Sequence, residues 1–242
     1  MKCIILAAGK GKRLLSEKFQ LPKALRELNG KPILSYVLDN ISFIDTKDIV
    51  IVVGFMGEKV IEKIGEKYTY VWQREQIGTG HAVMMAKDYF DNEQNLILMG
   101  DMPFIKGKTI KDFINFHMQN KNDLSILTVE GRESSSFGRI VRNENGFIEK
   151  IIEVKDAKDN EKKITELNTG IMVCNKKVLS LLENLKTDNA QKEYYLTDIV
   201  KLAKDEKLKI DGFKVYDEVE FFGINTLEDL EFAENYIKNQ KN

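Results

Sequence analysis

Four short runs along the chain are apolar without alternation: Cys3-Ile4-Ile5-Leu6, the stretch from Asp48 to Gly54, the stretch from Asn95 to Gly100, and Leu124 to Val129. Runs of this length with no polar face predict strands buried on both sides. Between them the apolar positions recur at helical spacing, as in Ala82-Val83-Met84-Met85-Ala86 and from Thr109 to Gln119. Strands alternating with amphipathic helices predict an α/β fold, with a mainly parallel central sheet covered by helices on both faces. After Gly138 the strand-like segments crowd together, which predicts a small β subregion inserted before the chain returns to the core. The lysine- and glutamate-rich stretch from Asp156 to Lys163 reads as a solvated loop or short helix.

Chemistry collects where these strands end. The first run leads straight into Leu6-Ala7-Ala8-Gly9-Lys10-Gly11-Lys12-Arg13, and Pro22-Lys23 follows ten residues later. Two glycines at the carboxyl end of a strand let main-chain N–H groups approach a phosphate, and the surrounding lysines and Arg13 add positive charge. A plain turn is equally compatible with the glycines alone. The third glycine of a dinucleotide fingerprint and the Gly-Lys-Ser/Thr of a Walker loop are both missing, so neither an NAD site nor a P-loop ATPase follows.

Further on, Gln73-Arg74-Glu75-Gln76-Ile77-Gly78-Thr79-Gly80-His81-Ala82 sets two glutamines before a glycine-rich turn. A side-chain amide both donates and accepts, as an imide edge such as that of uracil requires, although a polar loop capped by Thr79 fits the same residues. The run Leu96-Ile97-Leu98-Met99-Gly100-Asp101 ends in a lone carboxylate at a strand end. Magnesium takes only one or two protein oxygens in many sites, so Asp101 needs no acidic cluster to be a candidate ligand; a solvated turn aspartate is the alternative. Phe137-Gly138-Arg139-Ile140, Ile151-Ile152-Glu153 and Glu166-Leu167-Asn168-Thr169-Gly170 interrupt apolar strands with polar groups able to bind sugar hydroxyls.

Taken in order, these segments, with Leu21-Pro22-Lys23, Glu153-Val154-Lys155-Asp156-Ala157, Glu193-Tyr194-Tyr195-Leu196-Thr197-Asp198 and Gly223-Ile224-Asn225, resemble the sugar-1-phosphate nucleotidyltransferases. Within that family the resemblance is to the uridylyltransferase domain of the bifunctional N-acetylglucosamine-1-phosphate uridylyltransferase/glucosamine-1-phosphate acetyltransferases, from about Lys2 to the final helix. It implies a Rossmann-like nucleotidyltransferase fold and Mg²⁺-dependent transfer of UMP from UTP to N-acetylglucosamine-1-phosphate. Arg13 and Lys23 are then the catalytic cations, and Leu6, Ala7, Ala8, Gly9, Gln73, Gln76, Gly78 and Thr79 the nucleotide-binding set. Gly138, Glu153, Asn168 and Thr169 face the sugar, and Asp101 and Asn225 hold Mg²⁺. Two positions depart from the family's usual pattern: Thr226 after the asparagine, and Met99 before Gly-Asp. The alternatives are transfer to another acceptor, glucose-1-phosphate with UTP or a phospho-alcohol with CTP, and a catalytically silent nucleotide-sugar-binding module.

Composition narrows the partners. The chain has 242 residues, 43% hydrophobic content and a formal net charge of −1. That size suits a single domain, here a nucleotide-binding part over about 1–130, a sugar-facing part over about 131–225 and a C-terminal helix over 226–238. The expected partners are UTP and a sugar-1-phosphate. No basic surplus suggests nucleic acid, and no apolar stretch approaches the roughly 20 residues of a membrane helix. No signal peptide precedes the first strand, Cys3 and Cys174 read as buried reduced thiols, and a cytoplasmic location is expected. No acetyltransferase β-helix domain is expected, and the oligomeric state stays open. His81 and His117 are too distant in sequence to suggest a metal pair; His117 reads as a surface residue of its helix, and Phe221-Phe222 as core.

Overall fold

The computed structural model describes residues 1–132 and 136–240. The first apolar run is β1 (Lys2–Ala7), followed by a 3-10 turn (Lys12–Leu14), α1 (Ser16–Phe19), the short hairpin β2 (Glu27–Leu28) and β3 (Lys31–Pro32), and α2 (Ile33–Asn40). Strands and helices then alternate: β4 (Ile49–Val53), α3 (Gly57–Ile64), β5 (Thr69–Trp72), α4 (Thr79–Met85), β6 (Asn95–Met99), α5 (Gly107–Asn120) and β7 (Leu124–Glu130). The crowded segment contains β8 (Arg139–Arg142), β9 (Ile148–Ile152), α6 (Asp159–Lys162) and β10 (Glu166–Cys174). The chain closes with α7 (Lys176–Ser180), α8 (Ile199–Asp205), β11 (Ile210–Val215) and α9 (Leu227–Gln240).

Main-sheet order is β11-β7-β10-β6-β1-β4-β5. β1 pairs in parallel with both β4 and β6, β4 with β5, and β7 with β11, whereas β10 runs antiparallel between β6 and β7. β10 is reversed because it is the return leg of the excursion: β8 pairs with β9 and with the start of β10, tying the small β subregion to the main sheet. Its register against β7 shifts between Asn168 and Met172, so the Asn-Thr-Gly segment sits on a bulge where β10 bends into the sheet. Arg142 of β8 donates to both carboxylate oxygens of Glu166, at 2.8 and 2.6 Å. Burial pushes the Glu166 carboxyl up, but this fork holds it below the ordinary carboxylate range.

Alternate β1 residues enter different cores, which is why the strand reads as continuously apolar. Cys3 and Ile5 pack with Leu34 and Leu38 of α2, Val60 of α3 and Phe113 of α5. Ile4 faces the opposite way, onto Ala82 and Ala86, while α7 and α8 cover the neighbouring strands on a further cluster. Both faces are thus sheathed, as the pattern predicted. Cys3 and Cys174 are buried free thiols, pushed up in pKa by burial. No helix among the described residues is long and apolar enough to cross a membrane.

His117 is not a surface residue. It falls on the buried stripe of α5 with Ile110 and Phe113 and is 0% exposed. Its Nδ1 lies 2.8 Å from Ser125 Oγ, which also accepts from Asn122 Nδ2 at 3.0 Å, and this bond offsets part of the cost of burial; Nε2 is buried without a hydrogen-bond partner among the described residues. Phe221 is fully buried, and Phe222 packs beside Leu14, Leu28, Ile33, Ile224 and Ala233. This last cluster joins the turn after β1 to α9. Thr226 caps α9: its Oγ1 accepts from Asp229 N at 3.1 Å, and Asp229 Oδ2 accepts from Thr226 N at 2.8 Å.

Candidate active site

From β1 the chain builds β4 and β5 on one side and then crosses over to place β6 on the other, and a crevice opens at the carboxyl ends of β1 and β6, where ligands of open α/β sheets bind. A cleft of about 570 Å³ occupies it. Leu6, Ala7, Ala8, Gly9, Arg13, Lys23, Gln73, Gln76, Gly78, Thr79 and Asp101 all line it, with Lys10, Gly11, Lys12 and Met99. Lys10, Lys12 and Arg13 are exposed at the cleft, while Leu14 anchors the same turn in the core. The loop therefore offers exposed cations on a buried anchor.

On the β5 side, Gln73 is only 3% exposed. Its Nε2 donates to Gly78 O at 2.9 Å and lies 3.2 Å from His81 Nδ1. Gln76 Nε2 donates to the carbonyls of Gln73 and Arg74, at 2.8 and 3.3 Å. Both glutamines are thus held by their nitrogens, and neither side-chain carbonyl oxygen is engaged in these bonds. The turn is locked from behind by a segment more than a hundred residues away: Tyr194 N donates to Ile77 O at 2.9 Å, and Gly80 N to Tyr194 O at 2.8 Å. Gly78 is required by this approach. Its φ is +121°, and a Cβ there would lie 2.6 Å from Tyr194 N and 2.8 Å from Tyr194 C. Thr79 does not cap α4 with its side chain; Gly78 is the cap residue, and Thr79 Oγ1 instead accepts from Leu196 N at 3.2 Å.

On the β6 side, Lys23 Nζ pairs with Asp101 Oδ2 and donates to Asn225 Oδ1 at 2.8 Å. Asn225 Nδ2 is turned away, donating to Gly223 O at 3.1 Å, so its oxygen is fixed toward the cation. Ile224 N donates to Asp101 O at 3.1 Å, tying the two segments together. A carboxylate and an amide oxygen converging on one ammonium are a donor pair suited to Mg²⁺, which completes its shell with water and phosphate. Among the described residues no cluster of three or more acidic, histidine or cysteine ligands exists. Lys106 pairs with Asp217 and Glu220 at 2.8 Å each, clamping the segments that carry Asp101 and Asn225; both pairings raise its pKa.

Gly138, Glu153, Asn168 and Thr169 lie together in the small β subregion. Asn168 N donates to Gly138 O at 2.9 Å. Glu153 Oε1 accepts from Thr197 Oγ1 at 3.1 Å; burial raises the Glu153 carboxyl, and that hydrogen bond opposes the shift. Asn168 Oδ1 accepts from Gly170 N at 3.1 Å. Thr169 is 2% exposed and its hydroxyl donates to Leu127 O at 2.7 Å, inside the sheet at the bulge. These four positions do not line the cleft itself. Glu153 and the residues after it are locked to the 189–198 segment, as Asp156 accepts from Ala190 N at 2.8 Å and Tyr195 OH at 3.2 Å, and Lys155 bonds Gln191.

Gln191 and Glu193 also line the cleft and went unassigned in the sequence reading. Their segment was conspicuous there, but its link to the glutamine turn runs through main-chain atoms of Tyr194, which leave no side-chain signature.

The nucleotidyl transferase family profile matches residues 2–215. The bifunctional protein GlmU of Streptococcus uberis (strain ATCC BAA-854 / 0140J) is 41% identical over 242 residues, covering 99% of this chain and 52% of that protein. GlmU of Thermoanaerobacter pseudethanolicus (strain ATCC 33223 / 39E) is 41% identical over 244 residues, with the same coverages of 99% and 52%. The chain spans about half the length of these curated relatives. Among solved structures, a UDP-glucose pyrophosphorylase complexed with UDP-glucose superposes with a TM-score of 0.78 at 18% identity, over 99% of this chain and 98% of that one. The inositol-1-phosphate CTP transferase from T. maritima gives 0.72 at 21% identity, over 98% and 96%. At those identities the neighbours establish the shared fold, and the profile match across most of the chain establishes that it belongs to the nucleotidyl transferase family.

Proposed function

We propose that this chain catalyses Mg²⁺-dependent transfer of UMP from UTP to N-acetylglucosamine-1-phosphate, giving UDP-N-acetylglucosamine and pyrophosphate. The observation that carries the reading is that one cleft combines a glycine-lysine-arginine turn for a triphosphate, two glutamines for a base edge, and Asp101 beside Lys23, on whose ammonium the Asn225 oxygen converges from behind the lining. Identity near 40% to GlmU proteins supports this choice within the family.

In this reaction an oxygen of the sugar-1-phosphate attacks the α-phosphorus of UTP as the bond from that phosphorus to the bridging oxygen of pyrophosphate breaks. The nucleophile is already ionised near neutral pH, so no strong base is needed. The work of the protein is alignment and charge neutralisation. Main-chain N–H groups of the turn after β1, with Arg13, take the triphosphate. Gln73, Gln76 and Gly78 hold the uracil, and Gly138, Glu153 and Asn168, with the Thr169 backbone, define the sugar subsite. Lys23 reaches from its acidic partner to the phosphates of both substrates. Mg²⁺ held by Asp101 and Asn225 supplies further neutralisation of phosphate charge when bound. Buried free thiols suit a reducing compartment, and we place the enzyme in the cytoplasm.

The test is pyrophosphate release with Mg²⁺ and UTP, comparing N-acetylglucosamine-1-phosphate with glucose-1-phosphate, CTP with UTP, and Asp101→Ala as the blank. Metal-dependent turnover favouring UTP and the N-acetylated acceptor is the expected result. Activity only with another acceptor or nucleotide replaces the substrate, and no turnover with any pair moves the binding-module reading forward.

A further inference from the structure

An amide is nearly symmetric in shape, so what Gln73 shows a ligand depends on which end its neighbours hold. Its nitrogen carries two hydrogens. One goes to Gly78 O, an atom that can only accept, at 2.9 Å. The other points at His81 Nδ1, 3.2 Å away, which accepts it only if the ring proton is on Nε2. With both hydrogens engaged, Oε1 is the amide atom left for a ligand in the cleft that Gln73 lines. Flipping the amide would set Oε1 against the Gly78 carbonyl oxygen and the bare Nδ1, two acceptor–acceptor contacts in a side chain that is 3% exposed. The ring sits in the first turn of α4, 6.3 Å from the Tyr194 ring centroid.

We propose that His81 is the positioning residue for base selection: by accepting from Gln73 it fixes Oε1 toward the ligand, so that the cleft favours a pyrimidine presenting a ring N3–H, as uridine does, over one presenting a bare N3, as cytidine does. The inference rests on the uridylyl-transfer reading and adds to it the group that sets the polarity of the base-reading amide. A carbonyl facing the N3–H of uracil gains a hydrogen bond, whereas the same carbonyl facing the N3 lone pair of cytosine leaves two buried acceptors opposed. Discrimination of this kind comes from the unfavourable contact as much as from the favourable one.

The decisive measurement is the ratio of kcat/KM for UTP to that for CTP, with one acceptor, in three proteins. His81→Phe keeps a ring but no acceptor and frees the Gln73 amide to turn; the ratio is expected to fall at least about tenfold, more through improved use of CTP than through loss of UTP. His81→Asn places a carbonyl oxygen close to where Nδ1 stood and is expected to keep the ratio within about threefold of the parent. A merely structural role for His81 would lower both activities together and leave the ratio alone, and that result overturns the proposal. In the unsubstituted protein, nitrogen-15 NMR of the imidazole is expected to show the proton on Nε2; a proton on Nδ1 overturns the proposal without any variant having to fold. A parent protein with no preference for UTP sinks the uridylyl reading and this inference together. A parent that prefers UTP while His81→Phe keeps that preference removes only the inference.

Discussion

Acid is expected to weaken this fold through one buried imidazole. His117 is fully buried, and burial lowers its pKa from 6.5 to about 4, with nearby Asp123 opposing the shift. In the unfolded chain the imidazole titrates normally. Between about pH 6.5 and pH 4 the unfolded state therefore binds more protons, and stability falls as the pH is lowered through that window. The full difference is on the order of 3 kcal/mol, of which about 2 kcal/mol is lost between pH 7 and pH 5. The assay is urea unfolding at pH 7, 6 and 5 for the parent and for His117→Gln, which can still accept from Ser125 but cannot titrate. The variant starts lower at pH 7 and then loses about 2 kcal/mol less than the parent over the range. Glu153 and Asp198, whose carboxyls are raised chiefly by burial, push stability the opposite way with pH, but they are common to both proteins and cancel in the comparison. Parallel curves for the two proteins would refute the reasoning.

Lys23→Ala is expected to lower turnover more than it weakens sugar-phosphate binding; single-turnover rates beside equilibrium binding separate the two, and unchanged turnover removes Lys23 from the mechanism. Without nucleotide the same variant should bind Mn²⁺ more tightly, because the ammonium engaging Asp101 and Asn225 is gone; calorimetry showing weaker binding contradicts this. Gly78→Ala should raise KM for UTP at least about tenfold, since the new Cβ meets the Tyr194 backbone and the φ is unfavourable; an unaltered KM would mean the turn is not part of the nucleotide site. Thr226→Val should cost about 1 kcal/mol by removing the α9 cap, read from thermal unfolding with kcat little changed.

Much of the framework is legible in the sequence. β1, β4, β6 and β7 lie where continuous apolar runs predicted them, because strands buried on both faces have no polar positions to obscure them. The reversal of β10 had no such signature, since direction depends on which strands the return leg pairs with. His117 was misplaced because its partner Ser125 lies across the turn into the next strand, and nothing local marks a histidine as a core residue. At the site, the resemblance paired Asp101 with Asn225 as metal ligands and set Lys23 with Arg13 as a catalytic cation, and the structure gathers both oxygens around the Lys23 ammonium. The pairing of Gln73 with His81 spans eight residues and depends on the turn at Gly78 folding the chain back on itself. Gln191 and Glu193 were overlooked because they enter the cleft from a segment whose visible logic is main-chain docking.

That docking bears on how such an enzyme could be altered. Gly78 and Gly80 meet the Tyr194 backbone, while Asp156 and Lys155 hold the same stretch from its other side. A base-reading turn borrowed from another enzyme would arrive without its backing. Exchanging nucleotide preference by transplantation thus calls for three blocks moved as one, 73–82, 153–157 and 189–198, even though they are scattered along the chain.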